Sequence, residues 1–209
     1  MLVVDTCLAA CQVGVFEGGR LRFGLSEPME RGHQERLAPM AGEVMAGAGL
    51  AFPDIGKIAV TVGPGSFTGL RVGLAFAKGL HLATGAALAG IGTLAALAAS
   101  IAPDGLCAGA IDARRGLVYL QAFAAGRPFC EPDVLPASEA PARLASLAPE
   151  RWRIAGPGAQ LLAGADNIDL VPLAAPDLIA LGELAARASS GDDVRPVYLR
   201  APDAKLAPT

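Results

Sequence analysis

The sequence predicts an α/β protein built as two lobes of related topology. Three observations carry this. A continuous β-prone run, Ile58-Ala59-Val60-Thr61-Val62, passes through a glycine-rich loop into a helical pattern, and alternation of strand and helix is the mark of α/β layering. An apolar strand closing on an aspartate occurs twice, at Asp5 and at Asp112. Apolar residues then recur at +6, +8 and +10 from each aspartate: Cys11, Val13 and Val15 after the first, Val118, Leu120 and Ala122 after the second. This reads as an internal repeat. The lobes expected are residues 1–103 and 104–209, divided near Ala102–Gly105, with the C-terminal segment packing back on the first lobe.

Taken in order, Leu2–Thr6, Gln12–Phe16 and Leu21–Phe23 are short apolar runs separated by turns, as in a β-meander. A loop, Ser26 to Gly32, follows. Leu37, Met40, Ala41, Val44, Met45 and Ala48 share one helical face. They predict a helix over 33–48, with Pro39 in its first turn and Gly49 at its exit. Ile58–Val62 is a buried strand, Gly63–Gly69 a loop, and Leu70–Ala83 a helix. A third helix is expected from Thr93 to Ile101, ending at Pro103. Ala108–Asp112 begins the second lobe, Ile154-Ala155 is a strand entering a glycine turn, and Leu178–Ala188 is an amphipathic helix. Ala201–Thr209 is expected to fray.

Composition narrows the function classes. Hydrophobic residues make up 53% and charged residues 18%, with mean hydropathy +0.45, which excludes a disordered chain. A net charge of −3 argues against nucleic-acid binding through a broad basic face. The apolar stretch Leu82–Ile101 is too rich in Ala and Gly to read as a membrane span. With no export signal visible, Cys7, Cys11, Cys107 and Cys130 are expected to be reduced thiols of a cytoplasmic protein. Cys7 and Cys11 have no second ligand pair to make a zinc site.

The segment Gly63 to Gly73 is the strongest signal. It departs from the phosphate loop of nucleotide hydrolases, from the dinucleotide fingerprint, which would need glycine where Thr68 stands, and from the nucleophile elbow, which would need glycine at positions 64 and 68. Asp5, Gly63, Gly65, Ser66 and Thr68 could form an anion or nucleotide loop at a helix start, with Arg71 near. The same residues equally suit a tight turn that lets helix and sheet pack closely. Gly69, Gly73 and Ala77 form a small-residue strip facing an apolar row of Met40, Val44 and Met45. These are either a docking surface or ordinary core. His33 has Leu37 one turn on and so no metal partner; capping or interface hydrogen bonds are expected of it. A phosphate hairpin after Asp5 would want glycine at position 7, where Cys7 stands.

Val4-Asp5-Thr6, Gly32-His33, the run from Gly63 to Gly73, Ile111–Arg114 with Val118-Tyr119, and the terminal Arg195-Pro196-Val197-Tyr198-Leu199-Arg200 resemble the bacterial TsaB (YeaZ) family. The resemblance spans nearly the whole chain, though 127–177 carries no matching motif. It implies the duplicated actin, sugar-kinase and Hsp70-like (ribonuclease H-like) fold with a degenerate nucleotide site. It also implies a non-catalytic subunit of the machinery that forms N6-threonylcarbamoyladenosine at position 37 of ANN-decoding tRNAs. Such a chain would dock to a TsaD-like catalytic subunit through first-lobe helices, and a TsaE-like ATPase would join. It would form a homodimer when alone, contact tRNA mainly through partners, and itself bind no cofactor, ATP and Mg²⁺ being used by the complex. Its docking residues would be His33, Met40, Val44, Met45, Gly69, Arg71, Gly73 and Ala77. On this expectation Gly73→Leu loses partner binding with the fold retained. Two rivals are a small ATP-dependent phosphotransferase using Asp5, Asp112 and the Gly63 loop, and a metallopeptidase.

Overall fold

The computed structural model describes residues 1–101 and 105–200. The expected lobe boundary at 102–104 and the expected frayed tail at 201–209 lie outside the described residues. Strands β1 (Leu2–Asp5), β2 (Ala10–Glu17), β3 (Arg20–Pro28), β4 (Lys57–Gly63) and β5 (Ala87–Gly92) form a five-stranded sheet in the order β3-β2-β1-β4-β5. The β1–β2 and β2–β3 pairs are antiparallel, and β1–β4 and β4–β5 are parallel. Helix α1 (His33–Ala48) links β3 to β4, α2 (Phe67–Thr84) links β4 to β5, and α3 (Thr93–Ala99) follows β5.

The second sheet repeats this plan. It contains β6 (Leu106–Arg114), β7 (Leu117–Ala124), β8 (Arg127–Pro128), β10 (Trp152–Ala155) and β11 (Ile168–Val171) in the order β11-β10-β6-β7-β8, with β9 (Asp133–Pro136) also paired to β7. Again the leading strand makes an antiparallel hairpin on one side, and parallel partners follow on the other. Helices α4 (Ala140–Leu147) and α5 (Leu178–Arg187) stand where α1 and α3 stand in the first half, and the counterpart of α2 is one 3-10 turn, Ala159–Leu162.

Both faces of the first sheet are buried, which explains its continuous apolar strands. Side chains alternate along each strand. Leu2, Val4, Ile58 and Val60 face α1 and α2 with Leu37, Met40, Val44, Met45, Leu70 and Leu74. Val3, Ala59, Ala89 and Ile91 face Leu181 and Ala185 of α5. The C-terminal helix thus lies on the first lobe's sheet. Lys57 fixes its end, its Nζ donating to the Ala185 and Ala188 carbonyls at 2.6 and 2.7 Å. Conversely α3 packs on the second sheet, Leu94 and Leu97 meeting Ile111 and Ala155. A cut at residue 103 therefore assigns α3 to one lobe by sequence and to the other by packing. The second core gathers around Trp152, Leu144, Val118 and Ile154.

Three elements differ from expectation. Pro39 sits inside α1 rather than in its first turn, on the exposed side. Helix α2 begins at Phe67, three residues earlier than expected, because Ser66 caps it, Oγ accepting from Gly69 N–H at 3.3 Å. Strand β5 lies within a stretch whose alanines and glycines give no strand pattern.

Candidate functional site

The expected nucleotide loop is built where β1 turns into β2. Asp5 is fully buried, and all its acceptor capacity is directed inward. Thr61 Oγ1 donates to its Oδ1 at 2.6 Å, Cys7 N–H at 3.0 Å, and Gln12 Nε2 to its Oδ2 at 3.2 Å. Gln12 Nε2 also donates to Pro176 O at 2.9 Å, which ties the strand to the chain entering α5. Burial pushes the Asp5 carboxyl up from its ordinary value, and the three hydrogen bonds oppose this. Burial and the neighbouring Asp5 likewise push the Cys7 thiol up to about 12.

The glycine loop closes on this turn. Ser66 N–H donates to Cys7 O at 2.7 Å, and Thr6 Oγ1 donates to Gly69 O at 2.7 Å. A Cβ at Gly65 would run into Cys7 O, one at Gly69 into Thr6 O, and one at Gly73 would stand 2.5 Å from Thr6 Oγ1. The N–H groups of Cys7, Ser66 and Gly69 are thus engaged within the chain. Asp5, Gly63, Gly65 and Ser66 come together as expected, in a packed turn whose carboxylate is directed inward. Thr68 is exposed in the first turn of α2.

The equivalent turn of the second lobe is open. Asp112 accepts from Arg114 N–H at 2.7 Å. It borders a cleft between the lobes with Arg31 and Tyr119, and Cys7, Leu8, Gly65 and Ser66 of the first-lobe turn line the same cleft. The two aspartates that look alike in sequence are thus unlike in setting: one is sealed and the other faces solvent.

The expected docking residues need correction. Met40, Val44, Met45, Gly69, Gly73 and Ala77 are buried within the chain. Gly69 and Gly73 face the β1–β2 turn, and the methionines fill the core over the sheet. They are core because both strips point at the sheet rather than at solvent. His33 is buried as well, with Nε2 at 3.2 Å from Ala10 O. Arg71 alone of this set is exposed. The outward faces of the same helices carry different small residues: Ala38, Gly42 and Ala46 on α1, Ala75 and Gly79 on α2, then Leu82, which is 82% exposed. A Cβ at Gly42 or Gly79 would meet nothing within 4 Å. Sequence periodicity finds both strips, and only burial tells which one is free.

Sequence reading assigned no role to the surroundings of Arg71. Its guanidinium carbon lies 3.7 Å from the Phe67 ring centre, and its Nε donates to Tyr198 Oη at 3.3 Å. Among the described residues no group of three His, Cys, Asp or Glu side chains could hold a metal, and no helix is long and apolar enough to cross a membrane. All four cysteines are free thiols.

A family model described as TsaD, tRNA N6-adenosine threonylcarbamoyltransferase, matches residues 27–183. The tRNA threonylcarbamoyladenosine biosynthesis protein TsaB of Escherichia coli is 35% identical over 122 residues, 57% of this chain and 52% of that protein. The chain spans about half the length of the curated relatives it matches. The solved structure of YeaZ from Pseudomonas aeruginosa superposes with TM-score 0.79 at 28% identity, covering 95% of this chain and 98% of that one. A ROK hexokinase from Thermus thermophilus matches at TM-score 0.50 and 17% identity over 90% and 98% of the two chains, which establishes the sugar-kinase-like fold alone. With the 63–73 loop folded as described and these likenesses spanning both lobes, the chain belongs to the TsaB (YeaZ) family.

Proposed function

We propose that this chain takes part in forming N6-threonylcarbamoyladenosine in tRNA as a non-catalytic subunit that docks to a TsaD-like catalytic subunit. The observation that carries the reading is the sealed β1–β2 turn. Where a catalytic member of this fold would cradle phosphates, this chain packs Gly65 and Ser66 on Cys7. The docking face is the outer side of α1 and α2, where Ala38, Gly42, Ala46, Ala75 and Gly79 allow close helix approach and Leu82 supplies an exposed apolar anchor. Alone, the chain pairs with a second copy through this face. A TsaE-like ATPase joins the assembly, and ATP with Mg²⁺ is used by the complex in the cytoplasm.

Size-exclusion chromatography with light scattering tests this, on the chain alone and mixed with its host's TsaD-like protein. A dimer that converts to a stable heterocomplex is expected. A chain that ignores that protein at micromolar concentration overturns the docking reading. Titration with ATP and Mg²⁺ decides the rival: micromolar binding by the isolated chain would favour a phosphotransferase.

A further inference from the structure

We infer that the flank of α2 around Arg71, together with the C-terminal strap 194–200, forms an interface for single-stranded RNA. The inference rests on the reading above only in taking that RNA to be tRNA. The strap runs from one lobe to the other. Val194 and Val197 pack on the first core, and Val197 N–H donates to Val62 O at 2.8 Å. Three residues later, Arg200 Nη1 donates to Ala113 O at 2.5 Å, beside the tip of the β6–β7 hairpin. Tyr198 is thereby held next to α2, its ring centre 5.8 Å from that of Phe67. Both rings stay exposed, at 45% and 43%.

Arg71 is held in place by these two rings, through its stacking on Phe67 and the bond from Nε to Tyr198. That bond uses Nε, and the two Nη groups are the guanidinium's remaining donors, of a kind suited to a phosphate. At the strap's other end the Arg114 side chain is 85% exposed, and its contact with Asp112 is long at 3.5 Å. Of the nearby acids, Asp112 borders the cleft and Asp193 pairs with Arg195. On a chain of net charge −3, Arg71 and Arg114 thus stand at the two ends of a strap, with exposed aromatic rings between them. Phosphates answer the charge, and unpaired bases answer the rings. An acidic protein surface would use the charge but not the rings, so the aromatic variants separate the two.

The test uses the complex with the TsaD-like subunit and a fluorescein-labelled, unmodified tRNA, read by anisotropy over a salt series. Arg71→Ala with Arg114→Ala should lower affinity about tenfold near 0.1 M salt and shrink the slope of log K against log salt by about 2. Tyr198→Ala should lower affinity about tenfold, and Tyr198→Phe, which keeps the ring but removes the acceptor for Arg71 Nε, should fall between Tyr198→Ala and wild type. Light scattering checks that each variant complex assembles. Unchanged affinity and slope in an assembled double variant overturns the inference and leaves the docking reading intact. Loss in the arginine variant without loss in Tyr198→Ala overturns the RNA assignment in favour of an acidic protein partner. If the wild-type complex fails to assemble, the docking reading fails, and the same titrations on the chain alone still decide the strip.

Discussion

Two glycines of α2, six residues apart, should respond in opposite ways to the same substitution. A Cβ at Gly73 would stand 2.5 Å from Thr6 Oγ1 and 3.4 Å from Val60 Cγ2. A leucine there must displace the β1–β2 turn and break the bond from Thr6 Oγ1 to Gly69 O. Overpacking costs about 1–3 kcal/mol, and a buried hydroxyl left without its partner costs about 1–3 kcal/mol more. Replacing a helical glycine returns about 0.8 kcal/mol. Gly73→Leu should therefore destabilise by about 1–5 kcal/mol, lowering Tm by roughly 2–20 °C for a chain of this size. At Gly79 a Cβ meets nothing within 4 Å. Gly79→Leu should gain about 0.8 kcal/mol from helix propensity, raise Tm by a few degrees, and abolish docking because the leucine projects from the outer face. Calorimetry and light scattering with the TsaD-like partner read both effects. A Gly73→Leu protein of wild-type stability refutes the packing argument, and a Gly79→Leu protein that still forms the heterocomplex refutes the docking face. This reverses the sequence-level expectation that Gly73→Leu spares the fold.

Other consequences follow from buried groups. Lys57→Met removes the donor to the Ala185 and Ala188 carbonyls and should cost about 1–2 kcal/mol; hydrogen exchange should show α5 opening more readily, and unchanged protection there would count against the contact. Asp5 has its folded pKa above the unfolded value of 3.8. From about that pH upward to the folded pKa the native state holds more protons, so stability from this group falls as pH rises through the window. Compared with Asp5→Asn in urea titrations from pH 4 to 7, the wild type should gain relative stability toward acid, and a gap independent of pH would sink the assignment. Cys7, with its thiol held up to about 12 and no exposed surface, should resist alkylation at pH 8 until unfolding, while the half-buried Cys130 labels first. Early labelling of Cys7, seen by peptide mapping, would show that the turn opens.

The legible parts of the chain were those with strong periodicity or a distinctive cap. Helix α1 ends where Gly49 adopts φ 68°, as its position after the last apolar residue implies. The repeat of strand, aspartate and hairpin appears as two sheets with the same pairing plan. Strand β5 was illegible because Ala87, Ala89, Gly90 and Gly92 carry no β signal and are strand only by pairing with β4. In the second lobe, β9 and β11 are four residues each, too short for a period to show. The site failed differently. Gly69, Gly73 and Ala77 were found as a strip, yet periodicity gives a face without saying which way it points.

That direction explains the glycine run itself. Gly65, Gly69 and Gly73 are spaced four apart, so they line the side of α2 and its cap that meets Thr6 and Cys7. Gly63 adopts φ 100°, and a Cβ there would crowd Leu70 and the Val197 carbonyl of the strap. Each glycine thus admits a different piece of backbone or side chain from the β1–β2 turn or the C-terminal strap. The second lobe has one 3-10 turn where α2 would be, and there Gly158 lets that turn approach Ile111 and Asp112 without covering the cleft. Sealing the first turn therefore requires the whole of α2 with its small inner face. The same helix then presents its outer face to solvent. On the proposed reading the inner face of α2 closes the turn and its outer face docks the partner, and a substitution on one side should leave the function of the other untouched unless it unfolds the turn.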